Sequence, residues 1–229
     1  MRSSSAKTSI LVLDIDGTLT DSVALHQEAF LGAMQALGLS RLDANWGAYP
    51  QHTDTGIFAE AIARDAAQSK RHEVTAFEAD LASRFAALLR NRRIEEIPGA
   101  RAFVEAANAS EWGVVFATGG IRGVSGDKLR AIGIDVDDEL LLTASEWANR
   151  TELVAAAIAR AKTYYGIAAP CTVLSIGDGR WDWDVARRLD IRFLGVGRSA
   201  SAGVLEGLGA RVMPDWTDAM SVLAGLGRK

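Results

Sequence analysis

Cysteine is almost missing from this chain. Cys171 stands alone among 229 residues, which excludes an intrachain disulfide and leaves no thiolate cluster for zinc. It reads as a small buried hydrophobe beside a strand. Positive charge is not in excess either: 25 Lys and Arg against 29 Asp and Glu give a formal net charge of -4. The broad basic field that non-specific nucleic-acid binding needs is therefore absent. Near the N-terminus the apolar run 10–13 stops at Asp14, too short for a signal-peptide core or a membrane span. These absences predict a cytoplasmic protein that binds neither nucleic acid nor membrane. They leave the oligomeric state open. No internal repeat, low-complexity tract or charge block interrupts the chain.

Hydrophobic residues make up 48% and charged residues 24%, the balance of a packed globular protein. Short, mostly apolar runs at 10–13, 114–117, 140–142, 173–176 and 192–196 end in polar or glycine-rich turns and read as strands buried on both faces. Helix-like stretches at 100–108, 123–132, 146–164 and 182–189 lie between or beside the later runs. Strands alternating with helices predict a parallel α/β sheet. The interval 22–94 differs, being rich in Ala, Leu, Glu and Arg with no convincing strand. Its periodicity predicts helices over 23–37, 55–68 and 74–91. An insert that returns at Ile97-Pro98-Gly99 looks like a cap, although three helices in the body of one domain would show the same periodicity.

In open parallel sheets the reactive residues gather where strands end. The first run ends in Asp14 and Asp16, the second in Thr118-Gly119-Gly120 and the fourth in Gly177-Asp178. Asp14 and Asp16, one residue apart, lie on the same side of a pleat, and two carboxylates that close repel unless a cation or proton intervenes. Asp178 from another strand end would complete an oxygen site suited to magnesium. One such aspartate would read as a turn former or helix cap. Three that converge on a Gly-Thr and a Thr-Gly-Gly call for more.

Asp14-Ile15-Asp16-Gly17-Thr18-Leu19-Thr20-Asp21-Ser22, then Thr118-Gly119-Gly120, then Gly177-Asp178 through Asp182 resemble the haloacid dehalogenase-like (HAD) hydrolases. The first segment is the most specific of the three. The order of the motifs and the helical insert after the first are similar to the phosphoglycolate phosphatase and β-phosphoglucomutase-like branch. The resemblance implies a Rossmann-like parallel sheet flanked by helices, formed by 1–21 and 95–229, with an inserted all-helical cap over 22–94. It implies a magnesium-dependent phosphatase acting on a small phosphorylated metabolite. Asp14 would be the nucleophile that forms an aspartyl-phosphate, and Asp16 the general acid-base. Members that displace halide lack an acid at that place, so Asp16 argues for phosphoryl transfer. Mg2+ would be held by Asp14, the Asp16 carbonyl and Asp178, with Asp182 ligating through water or orienting its neighbours. Thr118 would donate to a phosphoryl oxygen and the amides of Gly119 and Gly120 would cradle the anion; a helix N-cap is the competing reading of Thr118.

The family places a lysine before the helix that precedes its last motif, and this chain has Arg150 there. Arginine keeps the charge but presents a planar fork, so Arg150 takes the role, and the rival, Lys128, reads as a solvated helix residue. The substitution also motivates a reading as a weakly catalytic binding or regulatory member. His26, on the first cap helix, resembles a histidine of β-phosphoglucomutase-like members and motivates a sugar-phosphate mutase as a further alternative. It reads equally as a substrate or proton-relay contact and as a packed helix histidine. His52 stands at the place of the family's specificity loop, with Thr53 or Asp54 as an ordinary N-cap. Trp181 and Trp183 read as packing under a loop, and Gly195-Val196-Gly197-Arg198 as a turn.

Overall fold

The computed structural model describes residues 6–39, 49–64, 74–168, 170–198 and 200–226. In chain order they form β1 (Ser9–Leu13), β2 (Thr20–Asp21), α1 (Val23–Ala36), α2 (Asp54–Arg64), α3 (Val74–Leu89), β3 (Glu95–Glu96), α4 (Ala100–Ala109) and β4 (Trp112–Ala117). There follow α5 (Arg122–Ala131), β5 (Leu141–Leu142), α6 (Arg150–Tyr165), β6 (Thr172–Gly177), α7 (Arg180–Arg188), β7 (Arg192–Val196), α8 (Ala200–Gly207), β8 (Val212–Met213) and α9 (Ala219–Leu226).

The main sheet has six strands in the order β5-β4-β1-β6-β7-β8, and every pairing in it is parallel. Both faces of β1 are covered, as its unbroken apolar run requires. Leu11 and Leu13 pack into one apolar cluster, Ile10 and Val12 into another on the opposite face. Register then decides where the chemistry sits. Leu13 lies opposite Phe116 of β4 and Ile176 of β6, so Asp14, Thr118 and Asp178 leave the sheet together at its carboxyl edge.

β2 and β3 form a separate antiparallel pair, Thr20 against Glu96 and Asp21 against Glu95, that brackets α1, α2 and α3. The sequence carries no signal for strands two residues long. Phe30, Phe58, Phe77 and Phe85 fill the space among these helices and belong to the same buried cluster as Ile121, Val124 and Leu129 around α5. Phe58 and Phe77 stack with centroids 4.4 Å apart.

Several boundaries differ from the sequence-based expectation. α6 starts at Arg150 rather than 146, because the Asn149 side chain accepts the amides of Thr151 and Glu152 and ends the preceding loop. Leu140 closes a 3-10 turn, leaving Leu141–Leu142 as strand. α2 ends within the described residues at Arg64, and the remainder of the expected 55–68 helix lies outside them. Beyond 196, α8, β8 and α9 were not foreseen. Among the described residues no helix is long and apolar enough to cross a membrane.

Candidate active site

Asp14 sits at the end of the central strand, 6% exposed. Thr18 donates to its Oδ2 at 3.4 Å, and the Arg150 Nη2 donates to its Oδ1 at 2.7 Å. Arg150, also buried, is aimed there by its position as the first residue of α6. Its Nε and Nη2 donate to Asp182 Oδ1 at 3.1 and 2.7 Å, and its Nη1 donates to the His52 carbonyl at 3.0 Å. The planar fork thus ties together a strand end, a helix N-terminus and the loop before α2. Gly119 leaves room for this, since a Cβ would collide with the His52 carbonyl and the guanidinium.

Asp14, Asp178 and Asp182 each present a carboxylate oxygen within 4.8 Å of the others. Gly17, at φ +71°, turns the backbone beneath them, and a Cβ on it would collide with the Asp178 carboxylate. Burial outweighs the pull of Arg150 and, with the Asp182 and Asp16 charges, raises the Asp14 carboxyl to about 7. Burial, then the charges of Asp14, Asp182 and Asp16, push Asp178 well above the ordinary carboxylate range. A hard divalent cation fits such an all-oxygen, charge-crowded set. Asp182 is the least available of the three, because Oδ1 takes Arg150 and Oδ2 accepts the Gly179 amide at 3.2 Å.

Asp16 leaves the cluster for a different neighbourhood. Lys128 Nζ donates to its Oδ2 at 2.6 Å and Ser22 Oγ donates to its Oδ1 at 2.5 Å. Burial would raise Asp16, but the Lys128 charge and these hydrogen bonds prevail and hold it down at about 2. Lys128 is fully buried, at 0% exposure, which overturns its reading as a solvated helix residue. α5 packs its inner face against the helices of the insert, and the ammonium points at Asp16 from there. Lys128 also donates to His26 Nδ1 at 2.9 Å. An ammonium cannot accept, so Nε2 carries the proton donated to Asp54 Oδ1 at 2.8 Å. Asp54 Oδ2 in turn accepts the Ile121 amide at 2.9 Å. His26 therefore has both ring nitrogens engaged by protein. Asp54 is no cap: Thr53 is, accepting the Gly56 amide at 3.2 Å.

Thr118 lies beside the pocket, its hydroxyl accepting the Gly120 amide at 3.3 Å. The residue flanking α5 is Ile121, so the N-cap reading of Thr118 falls. His52 stacks on Trp181, centroids 4.7 Å apart and planes 25° apart, while Trp183 lies under the Arg187 guanidinium. A cavity of about 140 Å³ joins these parts, lined among others by Asp14, Asp16, His26, His52, Thr118, Gly119, Gly120, Arg150, Asp178 and Trp181. Gly195 and Val196 end β7 rather than forming a turn, and Arg198 pairs with Asp215 outside the site.

The sequence reading missed Lys128, Asp54 and Trp181 as members of this site. A lysine at the fourth place of Ser125-Gly126-Asp127-Lys128 carries no mark of burial, and only the turn of α5 toward the insert reveals it.

The family model for haloacid dehalogenase-like hydrolases matches residues 8–190. The chain belongs to this family. No curated protein matches it significantly. Among solved structures, a hydrolase from Pseudomonas syringae is 25% identical over 96% of this chain and 99% of its own, with a TM-score of 0.72. A candidate β-phosphoglucomutase from Bacteroides vulgatus is 19% identical over 98% and 92%, TM-score 0.72. A predicted phosphoglycolate phosphatase from Haemophilus somnus is 16% identical over 94% and 98%, TM-score 0.62. This protein is thus a HAD-like hydrolase with an α/β Rossmann-like core, and phosphatase- and mutase-type proteins share its fold.

Proposed function

We propose that this HAD-like hydrolase is a magnesium-dependent phosphatase acting on a small phosphomonoester in the cytoplasm, with residues 22–94 serving as the cap over a core of 1–21 and 95–229. The observation that carries the reading is the split between the two aspartates of one strand end. Asp14 faces Arg150 and the carboxylate cluster, whereas Asp16 faces Lys128 and Ser22. This difference in partners supports a reading in which one carboxylate meets phosphorus and the other handles a proton.

An Asp14 carboxylate oxygen attacks phosphorus, the ester P–O bond breaks, and the departing alkoxide takes a proton from Asp16. Water then attacks the aspartyl-phosphate, losing its proton to Asp16 and releasing inorganic phosphate. Asp16, held ionised, stands ready for the second half. A phosphate dianion arriving beside it raises its pKa and favours the protonated form that the first half needs. Arg150 neutralises the nucleophile and the incoming anion. Thr118, Gly119 and Gly120 line the same cavity, where they would bind the phosphoryl oxygens. Asp14, Asp178 and the Asp16 carbonyl, with Asp182 behind them, would hold Mg2+, which would supply screening of the repulsion between nucleophile and phosphate.

Purified protein incubated with sugar phosphates, phosphoglycolate and nucleotides should release inorganic phosphate in proportion to added Mg2+. Asp14→Asn should abolish that release. Turnover that persists without divalent metal, or in Asp14→Asn, rules the mechanism out, and isomerised sugar phosphate without free phosphate would mark a mutase instead.

A further inference from the structure

The charges facing the cavity say what kind of alcohol can leave. A phosphatase must hold the phosphoryl group of any substrate, and this site has machinery for one. Arg150 is the lysine or arginine lining the cavity among the described residues, and its donors already meet Asp14, Asp182 and the His52 carbonyl. The nearby ammonium of Lys128 is directed at Asp16 and His26. Against these cations stand Asp14, Asp16, Asp54 and Asp178 in the lining. A divalent ion and one phosphate dianion bring equal and opposite charge, so the balance remains acidic.

Another part of the lining is of a different kind. Trp181 and His52 stack face to face, and Val23 and Ile57 line the same cavity. Burial and the Arg150 charge lower the His52 pKa, so its ring adds no positive charge at neutral pH. A second phosphate or a carboxylate entering here would lose water and, among the described residues of the lining, meet only Arg150, whose donors are already engaged. A flat or apolar group would find contact area.

Resting on the phosphatase reading above, we infer that the alcohol released by this enzyme is uncharged and presents a flat or apolar face to Trp181 and His52. Monophosphate esters of neutral alcohols are its substrates; bisphosphates and phosphorylated carboxylates are discriminated against. The chemistry is the same hydrolysis: the P–O bond to the alcohol is replaced by one to Asp14 and then by one to water.

The test compares phosphate release by the full chain with Mg2+ from benzyl phosphate, para-carboxybenzyl phosphate and ethyl phosphate. The first two differ by one remote negative charge and have leaving groups of similar basicity. The expected kcat/KM is at least tenfold higher for benzyl than for para-carboxybenzyl phosphate, and several-fold higher for benzyl than for ethyl phosphate. Trp181→Leu should narrow the benzyl-to-ethyl ratio, a comparison internal to each enzyme that partial misfolding does not alter. Equal or faster release from the carboxylated ester, or a benzyl-to-ethyl ratio unchanged by Trp181→Leu, overturns this inference while leaving the phosphatase reading intact. Release from none of the three, nor from the broader substrate panel, overturns the phosphatase reading itself.

Discussion

Lys128→Met is the sharpest perturbation of this structure. Lys128 is fully buried, and its ammonium meets the Asp16 carboxylate at 2.6 Å. At an effective dielectric of about 20, two unit charges at that separation attract by roughly 6 kcal/mol, most of it offset by the desolvation of both ions. Methionine preserves the length and most of the volume of the side chain, so the packing cost is small. The charge is what changes. Removing one partner of a buried pair costs about 3–5 kcal/mol because the other is left uncompensated. Asp16 keeps 21% of its side chain exposed toward the cavity and retains the Ser22 hydrogen bond, which places the loss near the lower end, about 3 kcal/mol. At about 2–4 °C per kcal/mol for a chain of this size, Tm should fall by roughly 6–12 °C. Urea denaturation at neutral pH measures this directly, and Asp16→Asn combined with Lys128→Met should recover part of the loss, since both charges are then gone. Phosphate release should fall on the order of 10²-fold as Asp16 loses its anchor. A single variant within about 1 kcal/mol of wild type, with a coupling energy near zero in the double-mutant cycle, would refute the buried pair and the role assigned to it.

Three other outcomes follow from the same geometry. Asp178→Asn should raise the Tm of metal-free protein by a few degrees, because it removes a carboxylate crowded by Asp14, Asp182 and Asp16, and should abolish the Mg2+-dependent rise in Tm expected of wild type in scanning calorimetry. Burial of Tyr165, whose hydroxyl donates to the Val114 carbonyl at 2.9 Å, pushes its pKa from 10.0 up to about 12. Since the folded value is raised, the stabilisation from the neutral phenol is complete below about pH 10 and lost as pH rises through about 12. Partial exposure discounts it to about 1–2 kcal/mol, and Tyr165→Phe should remove the latest step from an ultraviolet titration of the tyrosines. Phe77→Ala, at a 0% exposed position stacked on Phe58 and edge-on to Phe30 at 5.4 Å, should cost about 3–5 kcal/mol by chemical denaturation.

Much of the core was legible because its signals are local. The runs at 10–13, 114–117 and 173–176 are apolar but for Ser175 and do not alternate, a pattern of strands covered on both faces, and each falls inside a strand. The strands of β2 and β3 were not legible, since two residues hold no period. The start of α6 was misplaced by four residues because Glu146 and Trp147 continue a helical pattern that the Asn149 cap interrupts. Asp14 and Asp178 stood out as acidic residues at strand ends, and Asp182 as an acidic residue four places after Asp178. Lys128 did not, because the face of α5 it occupies is set by packing against α3, between Phe85 and Asp16.

By itself the sequence determined the parallel sheet, the helical insert after its first strand and the convergence of three strand ends, since hydrophobic periodicity and chain order imply these before any packing is known. Tertiary structure alone decided how Asp14 and Asp16 part company. Residues adjacent in sequence share a backbone but not an electrostatic surrounding: Arg150 reaches one from α6, Lys128 the other from α5, and only the folded arrangement of distant helices assigns each carboxylate its cation.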